Sequence, residues 1–295
     1  MRKSKLKGFV GGYFLILTFL LILLSTIKSE GQAVKRFLTL EDALKTPFEV
    51  KWLELKNDTL IAVPEVLFQL KNLEYLDLSN SSISMLPAQI GELTNLKYLN
   101  LSNTRLKNLP ESFSNLNNLT TLQLSNLEDL DVDATFRVLG SLRSLEVLDL
   151  KYDKIEDLPL TIKDLRKLKR IDLSGNPLRT VPDALRYLPN LEVLYINDDA
   201  DLDIESSVDI LAEIVSLKEL HLENDNIEIL PEKITRMRGL EYLYVNNNRL
   251  KNLPTTVKGM KKLKYLDINK NPIPNVYLEE YRNELAPSIK INIGN

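Results

Sequence analysis

The only histidine in the 295-residue chain, His221, stands in the stretch ELHLE between Glu219 and Glu223. An imidazole beside carboxylates is an arrangement that general-base catalysis or a metal site can use. On a β-strand all three side chains point to one face, but the Cα atom of each glutamate lies about 7 Å from that of the histidine. We therefore expect His221 to be a contact residue on a binding surface, and neither a catalyst nor a metal ligand.

Familiar catalytic patterns do not occur elsewhere in the chain. There is no GxSxG, no glycine-rich phosphate loop, no HExxH and no calcium-loop spacing, and there is no cysteine. The lack of cysteine excludes thiol nucleophiles, disulfides and cysteine metal sites. The sequence predicts a protein that is not an enzyme and that uses no cofactor or metal.

The composition is that of an ordered protein, with 44% hydrophobic and 27% charged residues. Residues 1–31 carry five of the 38 basic and one of the 41 acidic residues, which leaves 33 against 40, a net charge of −7, for residues 32–295. The lysines and arginines are scattered, whereas nucleic-acid binding depends on a basic patch. Nucleic acid is therefore not an expected partner.

The N-terminus has the layout of an export signal. Four basic residues precede the uncharged run 8–27, and Ser29 and Gly31 are small residues suited to cleavage before Gln32. Residues 1–31 are thus predicted to be a signal peptide. The alternative is an uncleaved N-terminal anchor, because residues 8–27 are just long enough to span a membrane. Both alternatives predict an exported protein that is periplasmic, secreted or at the cell surface, and the second adds a membrane contact through residues 8–27 alone.

From Val50 onwards the frame LxxLxLxx repeats ten times without a gap. Seven of the nine spacings are 23 residues and two are 26, and most repeats continue as LPxxIxxLxxL. The fourth and sixth positions of the frame alternate with polar residues, which is typical of a strand with one buried face. Stacked copies bury a continuous leucine core under a parallel sheet. The repeats start at Val50, Leu73, Leu96, Leu119, Leu145, Leu168, Leu191, Leu217, Leu240 and Leu263.

These ten in-frame copies resemble the leucine-rich repeat family, in the 23-residue LPxxI class typified by Ras-suppressor-like proteins and by many exported bacterial proteins. The resemblance covers residues 50–271. It implies an α/β solenoid, a horseshoe of ten repeats with a parallel sheet on the concave side. The ends need covers, so we expect an N-terminal cap at 32–49, with a helix after Thr39, and a C-terminal cap at 272–295.

Two features depart from the regular repeat. The 26-residue repeats contain LDVDATFRVLGSLRSL, from Leu130, and LDIESSVDILAEIVSL, from Leu202. Both lack the LP proline and place apolar residues three apart, which predicts a helix on the convex side of each. The turn position that is usually asparagine in the family holds Leu127 in the fourth repeat. Leucine cannot bond turn amides, so this repeat must make its turn differently.

The concave face is formed by the third, fifth and seventh positions of each frame. Aspartate in LDLS and tyrosine in EYL or KYL are interpreted as residues that fill the frame, so departures from them are more informative. Aromatic departures follow one another on adjacent strands in repeats seven to nine, and interface hot spots favour such residues. The predicted ligand-binding residues are Tyr195, His221, Tyr244, Glu219, Glu223, Tyr242, Tyr265 and Arg170. The alternative is that these rings are solvated or only stack on each other.

The sequence therefore predicts an exported, non-enzymatic scaffold that binds a protein or peptide on its concave face. The alternative is a structural or adhesive cell-surface repeat protein without a single specific ligand. If the first holds, the two glutamates favour protonated His221, and affinity is expected to change between about pH 5 and pH 8.

Overall fold

The computed structural model describes residues 34–56, 58–285 and 289–294. The predicted signal or anchor, residues 1–31, lies outside the described residues. Among the described residues, no helix combines the length and the apolar character that crossing a membrane requires.

The described residues form one parallel sheet of 12 strands, paired in chain order from the first to the last. Ten strands each take the third to fifth positions of one repeat, and the register joins equal positions, as in Leu122 with Leu148. The predicted solenoid with a parallel sheet is confirmed. The strands are β1 Arg36–Phe37, β2 Trp52–Glu54, β3 Tyr75–Asp77, β4 Tyr98–Asn100, β5 Thr121–Gln123, β6 Val147–Asp149, β7 Arg170–Asp172, β8 Val193–Tyr195, β9 Glu219–His221, β10 Tyr242–Tyr244, β11 Tyr265–Asp267 and β12 Lys290–Asn292.

The convex side consists mostly of short 3₁₀ helices. In seven repeats the proline of the LP turn is the residue just before the helix, where its fixed φ starts the return segment. The two 26-residue repeats instead have α-helices, as predicted, and an aspartate side chain caps each one. The 3₁₀ helices are Pro47–Glu49, Glu65–Gln69, Ala88–Glu92, Glu111–Asn115, Leu160–Asp164, Asp183–Tyr187, Glu232–Arg236 and Thr255–Gly259. The α-helices are α1 Leu40–Leu44, α2 Val132–Leu139, α3 Ile204–Glu213 and α4 Asn275–Glu284.

Both ends of the leucine core are covered. The helix expected after Thr39 is α1, and the Thr39 side chain accepts a hydrogen bond from the Asp42 amide. The short strand β1 pairs with β2 and was not predicted, because two residues carry no periodicity. At the other end α4 places the Tyr281 hydroxyl against the Leu253 amide at 2.8 Å. Strand β12 then pairs with β11 and is the last strand of the sheet.

A row of polar side chains, here called the spine, runs under the turns that follow the strands. Asn176 and Asn248 each accept hydrogen bonds from two backbone amides through Oδ1 and donate through Nδ2 to two carbonyls, each of the residue that directly follows a strand. The asparagine amide thus satisfies groups that the loop would otherwise bury without partners. At Leu127 the side chain joins the core instead. Its amide donates to Asp153 Oδ1 of the next repeat at 2.7 Å, and this is how the fourth repeat completes its turn.

Candidate functional site

The three rings predicted as the centre of the site form one stack on the concave face. Tyr195, His221 and Tyr244 occupy the fifth position on the adjacent strands β8, β9 and β10. Ring centroids are 3.8 Å apart for the first pair and 4.2 Å for the second, with interplanar angles of 14° and 6°. These distances are shorter than the usual strand spacing of about 4.8 Å, as expected where a concave face brings side-chain ends together. We call these three residues the C-terminal ladder.

The C-terminal ladder is closed at both ends by residues at the third position. The guanidinium carbon of Arg170 lies 4.3 Å from the centre of the Tyr195 ring, a cation–π contact. Tyr265 meets Tyr244 at 5.3 Å with the rings tilted by 46°. The fold therefore brings Arg170 and Tyr265, both predicted from the sequence as ligand-binding residues, beside the three central rings.

His221 is held between the two glutamates. Its Nε2 lies 2.7 Å from Glu219 Oε1, and its Nδ1 lies 3.1 Å from Glu223 Oε1. Both nitrogens face a carboxylate oxygen, and the imidazolium form satisfies both contacts because it donates from each nitrogen. The separation of the Cα atoms did not keep the groups apart, because the glutamate side chains lean towards the ring.

Electrostatics supports the same protonation state. Burial alone lowers the pKa of His221, but the hydrogen bonds and charges of Glu219 and Glu223 outweigh burial and raise the pKa above its ordinary value. A raised pKa moves the loss of the proton towards higher pH. If binding depends on this proton, we therefore expect the change in affinity in the upper part of the range of about pH 5 to pH 8 expected from the sequence, or above that range.

The same contacts bear on metal binding. In the imidazolium form, in which both ring nitrogens donate, His221 offers no lone pair to a cation. No group of three or more potential metal ligands occurs among residues 34–56, 58–285 and 289–294.

Burial divides the predicted residues into two sets. Tyr195 is 5% exposed, Glu219 7% and His221 2%. Arg170 and His221 lie on either side of the Tyr195 ring, Tyr195 and Tyr244 lie on either side of the His221 ring, and Glu219 contacts His221. The faces of the Tyr195 and His221 rings are therefore not free for a partner. For these two residues the structure agrees with the alternative that the rings stack on each other. The half-buried set can contact a partner directly and comprises Tyr244, Glu223, Tyr242, Tyr265 and Arg170.

A second aromatic stack lies at the other end of the concave face, and its two tyrosines are of the EYL and KYL type interpreted above as residues that fill the frame. Trp52, Tyr75 and Tyr98 occupy the third position of β2, β3 and β4, with centroids 3.6 and 4.2 Å apart. Arg36 covers the outer face of Trp52 at 4.6 Å. We call the three rings the N-terminal ladder. The signal was present in the sequence as three large rings at one frame position in consecutive repeats.

Acidic residues separate the two ladders. Asp149 and Asp172 are neighbours at the fifth position of β6 and β7, and Lys151 Nζ lies 3.3 and 3.8 Å from their carboxylates. Burial and the charge of Asp172 raise the pKa of Asp149 to about 6, against the opposing charge of Lys151. The concave face thus has three zones in sequence: neutral rings, paired charges, and rings that enclose an imidazolium.

The repeat pattern and the fold agree with the family comparison. A family model for a leucine-rich repeat region matches residues 38–153, and a leucine-rich repeat model matches residues 143–200 and 215–273. The chain belongs to the leucine-rich repeat family. No curated protein is significantly similar to this leucine-rich repeat chain in sequence.

Solved structures share this leucine-rich repeat fold. An internalin (inlF) from Listeria monocytogenes matches with 19% identity and a TM-score of 0.58, over 89% of this chain and 80% of that one. The ectodomain of the Arabidopsis thaliana receptor kinase GASSHO1/SCHENGEN3, in complex with CASPARIAN STRIP INTEGRITY FACTOR 2, matches with 27% identity and a TM-score of 0.51. That match covers 71% of this chain and 28% of the plant chain.

Proposed function

We propose that this leucine-rich repeat protein is an exported, non-enzymatic scaffold that binds a protein or peptide on its concave face, over repeats seven to nine. The observation that carries the proposal is the C-terminal ladder, whose rings are fixed by stacking on a rigid sheet. Fixed aromatic side chains lose little entropy on binding, which is why they dominate interface hot spots. Tyr242, Tyr244 and Tyr265, on the adjacent strands β10 and β11, are half-buried at the same end of the concave face.

The comparisons support a protein partner in general terms. The leucine-rich repeat ectodomain from the plant receptor kinase is in complex with CASPARIAN STRIP INTEGRITY FACTOR 2. The low identity of the internalin match limits that comparison to the fold. Membership of the LPxxI class of exported bacterial proteins belongs to the proposal, and rests on the repeat spacing.

Export is proposed from the N-terminal layout alone. Cleavage before Gln32 would release a chain without the apolar run 8–27, whereas retention would leave the repeats tethered to a membrane. Intact mass of the protein recovered from an expressing bacterium decides between them. A mass that starts at Gln32 supports the signal peptide, a full-length mass in the membrane fraction supports the anchor, and a full-length mass in the soluble cytoplasm contradicts export.

The binding proposal is tested by crosslinking the protein in its native envelope and identifying what it captures. For a captured partner, Tyr242→Ala and Tyr265→Ala should each weaken binding about tenfold, because they remove half-exposed rings from a hot spot. Tyr187→Ala is the matched control, since Tyr187 is 52% exposed in the convex helix Asp183–Tyr187. Melting curves should be similar for all three variants.

The competing function is a structural or adhesive surface protein without a single ligand, and the burial of Tyr195 and His221 within their own stack favours it. Equal affinity of the Tyr242, Tyr265 and Tyr187 variants for the captured partner would contradict the proposed site. Capture of many unrelated proteins, none sensitive to these substitutions, would establish the structural alternative.

A further inference from the structure

Arg170 is an unpaired cation in the middle of the concave face. Within the described residues its guanidinium contacts the Tyr195 ring but takes part in no hydrogen bond or ion pair. The other basic side chains at the first seven frame positions of the ten repeats do have acidic partners among these residues. They are Lys51, Lys56, Lys97, Lys151, Lys169, His221, Lys218 and Lys264.

A second polar group beside Arg170 also lacks a partner. The Tyr195 hydroxyl is buried and makes no hydrogen bond within the described part of the chain. Tyr195 as a whole is 5% exposed. Buried hydroxyls nearly always have a partner, so this one calls for an explanation. The guanidinium and the hydroxyl are both donors, and the ring that carries the hydroxyl is the platform that holds the guanidinium.

Arg170 is half-buried at the concave surface, and its neighbours on the two adjacent strands are apolar. Val147 and Val193 pair with it in register on β6 and β8, and both are half-buried at the concave surface. Across the adjacent strands β6, β7 and β8, the third frame position is therefore apolar, cationic and apolar in turn. Arg36 and Lys290, which cover the outer ends of the ring stacks, have no comparable pair of flanking repeat strands.

We propose that Arg170 and the Tyr195 hydroxyl bind a carboxylate of the partner, an inference that rests on the proposed function. A carboxylate offers two oxygens in one plane, and the planar guanidinium fork donates to such a pair with matched geometry. One oxygen can also accept from the tyrosine hydroxyl. Stacking on Tyr195 holds the guanidinium in place before binding, which reduces the entropy lost when the partner docks.

Surrounding charges favour a carboxylate over a phosphate. Four acidic groups and two further cations lie on the same face as Arg170, so with all of them ionised the zone is slightly negative overall, and a dianion would be repelled more than a monoanion. The valine flanks fit an aliphatic segment next to the carboxylate. The acidic groups are Asp149, Asp172, Glu219 and Glu223, and the cations are Lys151 and protonated His221.

The carboxylate could be the C-terminus of the partner or an Asp or Glu side chain, and the experiment separates them. Peptides that bind the full-length protein are selected from a random library and synthesised in three forms: unchanged, with a C-terminal amide, and with each acidic residue replaced by its amide. We expect one of the two neutralised forms to lose at least tenfold in affinity. The form that loses affinity identifies the source.

The protein variants assign that loss to Arg170. Arg170→Gln should weaken the unchanged peptide at least tenfold and leave the neutralised peptide nearly unaffected. Arg170→Lys keeps the charge but loses the planar fork, so its affinity should be intermediate. Arg137→Gln is the matched control, because Arg137 is exposed on the convex helix α2 and its loss changes the net charge equally.

The outcomes distinguish this inference from the function on which it rests. If selected peptides lose affinity with Tyr242→Ala but bind Arg170→Gln as tightly as the wild type, the concave site stands and the carboxylate inference is wrong. Equal binding of the unchanged and neutralised peptides has the same meaning. A library that yields no peptide bound by the wild-type protein contradicts the proposed function, and the inference falls with it.

Discussion

The two ladders hold their strands together by different physics. Trp52, Tyr75 and Tyr98 are neutral rings, stacked within 10° of parallel. The C-terminal ladder has an imidazolium at its centre, fixed by two carboxylates. The stacking of neutral rings does not depend on pH near neutrality. The charge of the imidazolium, and with it the ion pairs to the two carboxylates, does depend on pH. Equal geometry on one sheet can thus give one half of a solenoid a response to pH that the other half lacks.

The spine shows the same contrast beneath the turns. In the N-terminal half Ser81 and Thr104 donate their hydroxyls to carbonyls of their own repeats at 2.8 Å. In the C-terminal half Asp153, Asp199 and Asp225 replace the usual asparagine, and each has a buried carboxylate oxygen without a partner in the described residues. An ionised carboxylate cannot donate to the carbonyls that Asn176 and Asn248 bond, but a protonated one can.

The largest expected effect tests the continuity of the core between the two halves. Leu148 lies on β6, where the halves meet, and is fully buried. Leu148→Asp should place an unpaired charge in the core and cost several kcal/mol, so cooperative unfolding should be lost or strongly lowered in circular dichroism melts. Leu160→Asp is the control, because Leu160 is 53% exposed and its replacement should alter the melt little. An unchanged melt for Leu148→Asp would show that the two halves do not share one core.

The second effect removes the charge from the C-terminal ladder. His221→Phe keeps a stacked ring but leaves Glu219 and Glu223 buried without their cation, which should cost about 3 kcal/mol in free energy of unfolding at pH 6. Because the folded pKa of His221 is raised, its stabilising contribution is complete below the unfolded pKa and is lost as pH rises through the folded value. The difference between the variant and the wild type should therefore shrink at high pH.

Tyr75→Phe is the matched change in the N-terminal ladder. It should alter stability little at any pH between about 5 and about 9. Chemical denaturation of both variants at several pH values provides the measurement. Similar pH dependence in the two ladders would mean that His221 is not held as an imidazolium.

The third effect concerns the aspartates of the spine. Burial raises the pKa of Asp153 and Asp199 to about 8 and that of Asp225 to about 9, because desolvation disfavours the ionised carboxylate. The same carboxyls ionise near pH 4 in an unfolded chain, so from about pH 4 to pH 9 they bind more protons in the folded state, and their contribution to stability falls as pH rises.

Asp225→Asn should remove part of this loss. The amide donates where the ionised carboxylate cannot, so the variant should be more stable than the wild type by about 1–3 kcal/mol at pH 9 and by less at pH 5. Asn248→Asp is the reciprocal change and should add a loss of stability at high pH. If neither substitution changes the slope of unfolding free energy against pH, these carboxyls are ionised in the fold at neutral pH.

Periodicity explains how much of this was predictable. The frame leucines fixed the strands and the core, and the apolar steps at Phe136 and Leu139 fixed the helix α2. The N-terminal ladder was missed because a Tyr that fills the frame and a Tyr that stacks are the same letter. The effect of Glu219 and Glu223 on His221 was expected from the sequence, but the burial of His221 between them and the unpaired state of Arg170 were not predictable, since both depend on which way side chains lean.

The smallest expected effect measures stacking itself, through double-mutant cycles on one pair from each ladder. Removing Trp52 and Tyr75 singly and together should give an interaction energy of about 0.5–1.5 kcal/mol, the usual value for aromatic pairs, and it should not vary with pH. The pair His221 and Tyr244 should give up to about 2 kcal/mol while the imidazole is protonated, because a desolvated cation adds to the stacking. Above the folded pKa of His221 this second value should fall towards the first. Two interaction energies that stay equal at all pH values would show that the ladders are held by stacking alone.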